Sequence, residues 1–229
     1  MDYKGVKELK AAISSLRKDI VACSWKLYEK GYVAANDGNI SARIDTERVL
    51  ITPTRMSKGS VTPENLIIID MSGKLLSGKQ LPSSESDFHL KIYRDRPDVN
   101  GVCHAHPPYA TGFAVAGIPM DKMVLPEVII RLGIVPMVGY GLPGNPELYD
   151  QIQKKLKDHD AFLLANHGAL TVGSSVIDSY DKMETLEHAA MIQFIAQMLG
   201  KVNVLKEDQV ERLVPLREKF GARKGLSLE

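Results

Sequence analysis

The chain has 229 residues, of which 44% are hydrophobic and 25% are charged, and its formal net charge is +1. These values predict a globular protein with a substantial core, and the near-zero charge argues against binding to nucleic acid or to an anionic membrane. We expect a cytoplasmic protein without a disulfide framework, because there are two cysteines, a charged amino terminus and no apolar run of the roughly 20 residues that cross a bilayer.

The amino-terminal part of the sequence predicts one long helix followed by short strands. Apolar side chains recur at helical spacing from Val6 to Lys30, and Gly31 is well placed to end that helix. Three β-rich runs follow, separated by Gly, Pro and Asp: NISARI, RVLITP and NLIIID. The segment SSESDFHLKIYRD then predicts a helix that Ser83 or Ser84 caps.

The rest of the sequence alternates strands with helices. GVCHA and IVPMVGY predict strands, PPYATGFAVAG and NPELYDQIQKKLKD predict helices, and AFLLANHGALTVG predicts two strands around a tight turn. A long amphipathic helix follows and ends at Gly200. We therefore expect one α/β domain over residues 1–200, with a sheet covered by helices on both faces. Residues 201–229 are a weakly amphipathic helical tail for which local packing is the preferred interpretation. Covering the active site, docking on another subunit and binding a partner shell are the alternatives.

The stretch CHAHPP contains the first candidate site. Residues two apart on a strand share a face, so His104 and His106 project together, and the following prolines leave them near the end of the strand. This pair suits a divalent metal held through ring nitrogens at about 2.0–2.1 Å. Two surface or hydrogen-bonded histidines are the alternative interpretation.

Two further stretches supply candidate ligands. His167 lies at the turn in LLANHGAL, a position more typical of function than of packing. Glu85 lies within PSSES near a predicted helix start, where partial positive charge favours a carboxylate. A catalytic zinc ion usually has three protein ligands and one open position, and three histidines with a displaceable glutamate fit that pattern.

Together these motifs resemble the zinc-dependent class II aldolase/adducin family, which includes the L-fuculose-1-phosphate aldolases. The resemblance extends from about Leu9 to Gly200 through DGNIS, LITPT, LPSSES-DFH, RPDVNGVCHAHPPYA and LLANHGAL. It implies a three-layer α/β/α sandwich with a mainly antiparallel central sheet, assembled as a homotetramer with active sites at subunit interfaces. It also implies a site for one Zn²⁺ per subunit, or another divalent ion, on four ligands: Glu85, His104, His106 and His167.

The resemblance further implies a phosphate-binding site on five residues: Gly38, Asn39, Thr54, Ser83 and Ser84. Hydroxyls, an amide and backbone N–H groups next to glycine can hold an anion without a net basic surface. Alternatively, these segments are only turns and a helix cap. Arg55 stands where the fuculose aldolases have glycine, and it either adds a guanidinium to the phosphate site or restricts the loop.

The implied activity is reversible cleavage of a ketose 1-phosphate to dihydroxyacetone phosphate and an aldehyde, with L-fuculose 1-phosphate or a related deoxy-pentulose phosphate as substrate. Glu85 is implied to be a metal ligand at rest and the general base or acid in turnover. The family's epimerases have aspartate at this position, so Glu85 favours an aldolase. Leu125 stands where the aldolases have a catalytic tyrosine. Glu127 is the nearest ionisable candidate for that role, and an ordinary interface glutamate is the alternative.

Two other functions remain open at this stage. The first is a metal-dependent epimerase, dehydratase or decarboxylase of the same fold that acts on a sugar phosphate or sugar acid. The second is an adducin-like binding module without catalysis, which the complete set of candidate metal ligands disfavours.

Overall fold

The computed structural model describes residues 3–219 and 222. Its helices are α1 (Tyr3–Glu29), α2 (Ser86–Asp95), α3 (Pro108–Ala116), α4 (Pro126–Arg131), α5 (Pro146–Leu156), α6 (Val176–Met198), α7 (Glu207–Glu211) and α8 (Val214–Lys219). Its strands are β1 (Asn39–Arg43), β2 (Arg48–Ile51), β3 (Ile67–Asp70), β4 (Leu75–Ser77), β5 (Gly101–Ala105), β6 (Met137–Val138), β7 (Ala161–Leu164) and β8 (Gly168–Gly173). A short 3₁₀ helix occupies Lys58–Ser60.

Within the described residues the strands form one sheet in the order β4-β3-β2-β1-β5-β8-β7-β6. Neighbouring strands are antiparallel except for β6 and β7, which run parallel. In the middle of the sheet, Asn39 at the start of β1 lies opposite His104 of β5. Ala105 at the end of β5 lies opposite Ala169 near the start of β8. The start of β1, the end of β5 and the start of β8 therefore lie side by side at the same end of the central strands.

Helices cover both faces of this sheet, and the buried side chains form two hydrophobic cores. One core contains Cys103 and Ala105 and lies on the face covered by α1, α3 and α6. The other contains Val102 and Phe88 and lies on the face covered by α2 and α5. Side chains of β5 thus alternate between faces, and His104 shares the face of Val102. The predicted three-layer α/β/α sandwich with a mainly antiparallel sheet is confirmed.

Several helix ends have the residues that the sequence predicts. Gly31 follows α1 with φ +68°, a left-handed conformation that glycine adopts without strain. The Asn145 side chain accepts a hydrogen bond from the Glu147 N–H at the start of α5. Ser175 accepts the corresponding bond at the start of α6. Short polar caps therefore satisfy backbone groups that the helix itself leaves unpaired.

The prediction for IVPMVGY is wrong in extent, and helix α4 and strand β4 were not predicted. Only Met137–Val138 forms a strand there, at the edge of the sheet, because Pro136 lacks an N–H and glycine follows directly after the strand. Helix α4 and strand β4 have six and three residues, too few to show a clear hydrophobic period.

The predicted cap of α2 also needs correction. Glu85, not Ser83 or Ser84, occupies the N-cap position. The Ser83 hydroxyl instead accepts a hydrogen bond from the Glu85 N–H at 3.2 Å. The serine cluster therefore shapes the turn before the helix, and the Glu85 side chain is directed away from the helix end.

Helices α7 and α8 lie in the predicted tail. The Leu205 N–H donates to the Met123 carbonyl at 2.8 Å, which ties the start of the tail to the loop before α4. Phe220, part of the amphipathic pattern, and residues 223–229 lie outside the described residues. Among the residues that the structure does describe, none of the helices combines the length and apolar character needed to cross a membrane.

Candidate active site

Three imidazoles meet where the central strands of the sheet end. His104 lies at the end of β5 and His106 directly follows that strand, His167 comes from the turn between β7 and β8, and the ring centroids are 4.7–5.0 Å apart. One nitrogen of each ring lies within 4.8 Å of the others. Glu85 joins them, with Oε1 3.3 Å from His167 Nε2 and Oε2 3.6 Å from His104 Nε2. The four predicted metal ligands therefore converge on one point.

Close backbone approaches make this convergence possible. A Cβ atom on Gly168 would lie 2.5 Å from Cδ2 of His106, so only glycine leaves room for that ring. A Cβ atom on Gly38 would lie 2.8 Å from the His104 carbonyl oxygen, and the φ of Gly38 is +73°. Asn166, with φ +56°, makes the tight turn before β8. These small residues bring separate segments into contact at the site.

Hydrogen bonds to two of the rings determine which nitrogens carry lone pairs. The Ala169 carbonyl can only accept, so His104 Nδ1, 2.9 Å away, carries the proton and Nε2 has a lone pair. His106 Nδ1 lies 3.5 Å from the Asp37 carboxylate, a contact that favours a proton on Nδ1 of this ring as well. The two Nε2 atoms are 3.2 Å apart, and their lone pairs repel unless a cation lies between them.

The donor set therefore fits a divalent metal. Three imidazoles and a carboxylate are typical ligands of a catalytic zinc ion. A carbonyl behind His104 and a carboxylate behind His106 are the supports that metal-binding histidines commonly have. Among the described residues, His167 Nδ1 is buried without a partner, so this ring still lacks a support of that kind.

The electrostatics of the cluster agree with this fit. Burial, together with the neighbouring imidazoles, lowers the pKa of His104 to about 3, so the ring is neutral near pH 7. Burial alone would raise the pKa of Glu85, but His104, His167 and the Asn39 amide outweigh it and lower the pKa below its usual range. Neutral imidazoles and an ionised carboxylate are the states that bind a metal.

A pocket of about 330 Å³ opens beside the imidazoles. Its walls include most of the predicted phosphate-binding residues: Gly38, Asn39, Thr54, Arg55 and Ser83. The same walls include Glu85, His106 and His167. Ser84 is exposed and lies next to Gly144, outside the walls as the structure describes them, so its contact with a phosphate stays a prediction.

Arg55 has the left-handed backbone conformation, with φ +56°. Glycine adopts this conformation more readily than any other residue, in agreement with the glycine that the family resemblance implies for this position. Arg55 accepts the backbone strain and places an exposed side chain in the pocket wall. A guanidinium contact with a bound anion is compatible with this position and stays a prediction.

Lys58 joins the two loops that line the pocket, and the sequence analysis did not single it out. Its Nζ donates to the Asn36 carbonyl at 3.0 Å and to the Met56 carbonyl at 2.7 Å. The residue is 2% exposed, and burial lowers the pKa of its ammonium to about 8 against the opposing effect of Asp37 and Glu85. A lysine in a polar turn gives no periodic signal, so only the fold reveals this position.

Within one chain, Leu125 and Glu127 lie apart from the imidazoles. Leu125 precedes α4 and packs against the core beneath α1, α3 and α6. Glu127 is exposed in the first turn of α4. Neither residue is part of the described pocket wall. A contact between Glu127 and a substrate would therefore require a second copy of the chain.

An α/β/α sandwich carries three imidazoles and a carboxylate that could hold a divalent metal, and a polar pocket lies beside them. The chain belongs to the class II aldolase and adducin N-terminal domain family, whose profile matches residues 18–194. The family resemblance predicted from the motifs is thereby confirmed.

Relatives with two different activities are similarly close to this chain. The 3-oxo-tetronate 4-phosphate decarboxylase of Haemophilus influenzae is 35% identical over 190 residues, covering 81% of this chain and 90% of the relative. The L-fuculose phosphate aldolase of Methanococcus maripaludis is 35% identical over 173 residues, covering 76% and 93%. A solved L-fuculose 1-phosphate aldolase superposes with a TM-score of 0.81 at 27% identity, covering 90% and 96%. The chain is therefore an enzyme of the class II aldolase superfamily, and aldol cleavage is not favoured over decarboxylation.

Proposed function

We propose that this protein is a metal-dependent lyase that breaks a carbon–carbon bond near the ketone of a short phosphorylated sugar or sugar acid. The convergence of Glu85 with three imidazoles beside a polar pocket is the observation that carries this proposal. Those four side chains would hold a divalent ion. When bound, such an ion acts as a Lewis acid that polarises the ketone and stabilises the negative charge of the enediolate.

The pocket would bind the phosphate end of the substrate. Thr54, Ser83 and Arg55 lie in the same pocket wall as His106 and His167, and their hydroxyls and guanidinium would contact the phosphate. Hydrogen bonds to the phosphate would hold the reacting carbons at a fixed distance from Glu85, which lowers the entropic cost of reaction. Substrates with the phosphate on a carbon next to the ketone suit this arrangement.

Glu85 would transfer the proton at carbon. Once the carbon–carbon bond breaks, its electron pair remains on the substrate as an enediolate, and the carbon that has lost its substituent needs one proton. Glu85, which is ionised at rest, would first take up a proton from solvent in the open pocket and then deliver it to that carbon.

Decarboxylation of a 3-oxo-tetronate 4-phosphate is the favoured reaction. Loss of CO₂ from this 3-oxo acid and one protonation at carbon give dihydroxyacetone phosphate, and the leaving CO₂ needs no acid or base. Leu125, at the position where the family's aldolases have a catalytic tyrosine, cannot transfer a proton. The similarity to decarboxylases also supports this reaction.

Aldol cleavage of a ketose 1-phosphate is the second candidate, supported by the similarity to fuculose phosphate aldolases. It would give the same enediolate and an aldehyde, but a substrate hydroxyl must lose a proton. Glu127 could serve as that base only if a second subunit places it at the pocket. This candidate therefore includes a homo-oligomer, for which we propose the tetramer of the family.

One assay separates the two reactions. The protein, loaded with Zn²⁺, is incubated separately with 3-oxo-tetronate 4-phosphate and with L-fuculose 1-phosphate, and dihydroxyacetone phosphate, CO₂ and aldehyde are measured. Dihydroxyacetone phosphate with CO₂ supports decarboxylation, and dihydroxyacetone phosphate with aldehyde supports the aldolase. If neither substrate yields dihydroxyacetone phosphate, decarboxylation of 3-oxo-tetronate 4-phosphate and aldol cleavage of L-fuculose 1-phosphate are both wrong.

A further inference from the structure

A chain of buried hydrogen bonds leads to Glu85 through Asn39, a residue of the pocket wall, and then through three side chains that the proposed reaction does not use. Asn39 Nδ2 donates to Glu85 Oε2 at 2.7 Å, and Asn39 Oδ1 lies 2.5 Å from His89 Nε2. His89 Nδ1 lies 2.7 Å from Ser41 Oγ, which in turn lies 2.8 Å from the Tyr93 hydroxyl. Asn39 is 3% exposed, and His89 and Ser41 are fully buried. The chain therefore connects the candidate site to the core under α2.

The carboxylate at one end determines the direction of every bond. Ionised Glu85 can only accept, so Asn39 turns its Nδ2 towards Glu85 and its Oδ1 towards His89. Because Oδ1 can only accept, His89 carries its proton on Nε2. A neutral imidazole has one N–H, so His89 Nδ1 accepts from the Ser41 hydroxyl. Burial lowers the pKa of His89 to about 3, which keeps the ring neutral.

We propose that His89 is a positioning residue that fixes the orientation of the Asn39 amide and thereby holds Glu85 at the imidazole cluster. If the amide turned over, Oδ1 would face the Glu85 carboxylate at the position now 2.7 Å away. The NH₂ group of Asn39 would then face the N–H of His89, so the contacts of Asn39 with Glu85 and with His89 would both become repulsive. The inference extends the role proposed for Glu85 and rests on it.

Packing alone does not account for His89. The ring lies against Phe88 with centroids 4.6 Å apart, on the face of α2 that belongs to the hydrophobic core. An apolar side chain would fill such a position without the cost of burying two polar nitrogens. Hydrogen bonds from both ring nitrogens of His89 offset the cost of burying them. A buried polar network in which every group has a partner specifies one arrangement of its members.

Two variants of similar side-chain length separate positioning from packing. In His89→Gln the amide nitrogen can still donate to Asn39, whereas His89→Met fills the space without a donor. The measurement is the affinity for Zn²⁺ by competition with a chromophoric chelator, with thermal unfolding of the metal-free proteins as the folding control. We expect His89→Met to bind Zn²⁺ about 10-fold or more weakly than wild type, and His89→Gln to remain within about 3-fold of wild type.

Equal Zn²⁺ affinity in the two folded variants would overturn the inference, because packing would then account for His89. The comparison needs no substrate. If wild type binds Zn²⁺ but turns over no sugar phosphate, the proposed function fails and the positioning role is still tested.

A second measurement does not depend on whether the variants fold. The ¹⁵N chemical shifts of the His89 ring in metal-free wild-type protein report which nitrogen carries the proton. We expect the proton on Nε2 and a bare Nδ1. A proton on Nδ1 would reverse the direction of the chain and refute the proposal.

Discussion

The substitution Gly168→Ala tests how tightly the backbone controls the imidazole cluster. The added methyl group would lie 2.5 Å from His106 Cδ2 and 2.6 Å from the Ala105 carbonyl oxygen. Ordinary contact begins near 3.4 Å, so the His106 ring or the strand end must move by about 1 Å. Metal–ligand distances tolerate only about 0.2 Å, so this displacement exceeds what a bound ion accepts.

We expect Gly168→Ala to weaken Zn²⁺ binding about 10-fold to 100-fold, with a comparable loss of turnover at limiting metal. Overpacking should also lower the free energy of unfolding by roughly 1–3 kcal/mol. The assays are chelator competition for Zn²⁺ and urea unfolding of the metal-free protein.

Gly112→Ala in α3 is the matched control, because a methyl group there meets no atom within 4 Å. It should leave Zn²⁺ affinity unchanged and, as a helical Gly→Ala substitution, should not destabilise the protein. Wild-type Zn²⁺ affinity in Gly168→Ala would refute the argument that this glycine is required for ring placement.

Three further predictions concern other parts of the site. Lys58→Met should raise the Kd for inorganic phosphate about 10-fold, because it removes a buried ammonium and the bridge between the two pocket loops. An unchanged Kd in calorimetry would contradict a role of Lys58 in phosphate binding. Glu127→Gln should leave the rate of decarboxylation unchanged and lower only the rate of aldol cleavage. A large loss of CO₂ release would show that Glu127 is not a base used in aldol cleavage alone. The free energy of unfolding of the metal-free protein should fall as pH drops from about 6.5 towards 3, because the unfolded chain protonates His89 and the folded chain does not. In urea titrations, His89→Gln should remove up to about 1.4 kcal/mol per pH unit of that loss. Identical pH profiles of the variant and the wild type would contradict this role of His89.

The fold was predictable where a hydrophobic period or a turn signal is strong. The alternation of β5 predicted that His104 and His106 share a face, and the structure places both rings in one cluster. Neither periodicity nor spacing could show that Glu85 and His167 reach the same point, because their segments meet only through the sheet order. The family resemblance supplied that expectation.

The errors in the sequence-based predictions have identifiable physical causes. A serine cluster before a helix normally predicts a cap, but here the turn directs Glu85 towards the imidazoles and Ser83 accepts the Glu85 N–H. Lys58 was missed as a pocket residue because its role depends on a contact with a segment far away in the sequence. Such contacts leave no pattern in a single sequence.

The central claim is that Glu85, His104, His106 and His167 hold one divalent ion. X-ray absorption spectroscopy of the Zn²⁺-loaded protein tests this claim most directly, because imidazole rings give distinctive scattering beyond the first coordination sphere. We predict three imidazole nitrogens at about 2.0–2.1 Å and at least one oxygen ligand, with one imidazole lost in His104→Ala. A zinc ion coordinated by fewer than three imidazoles in the wild-type protein would contradict the account.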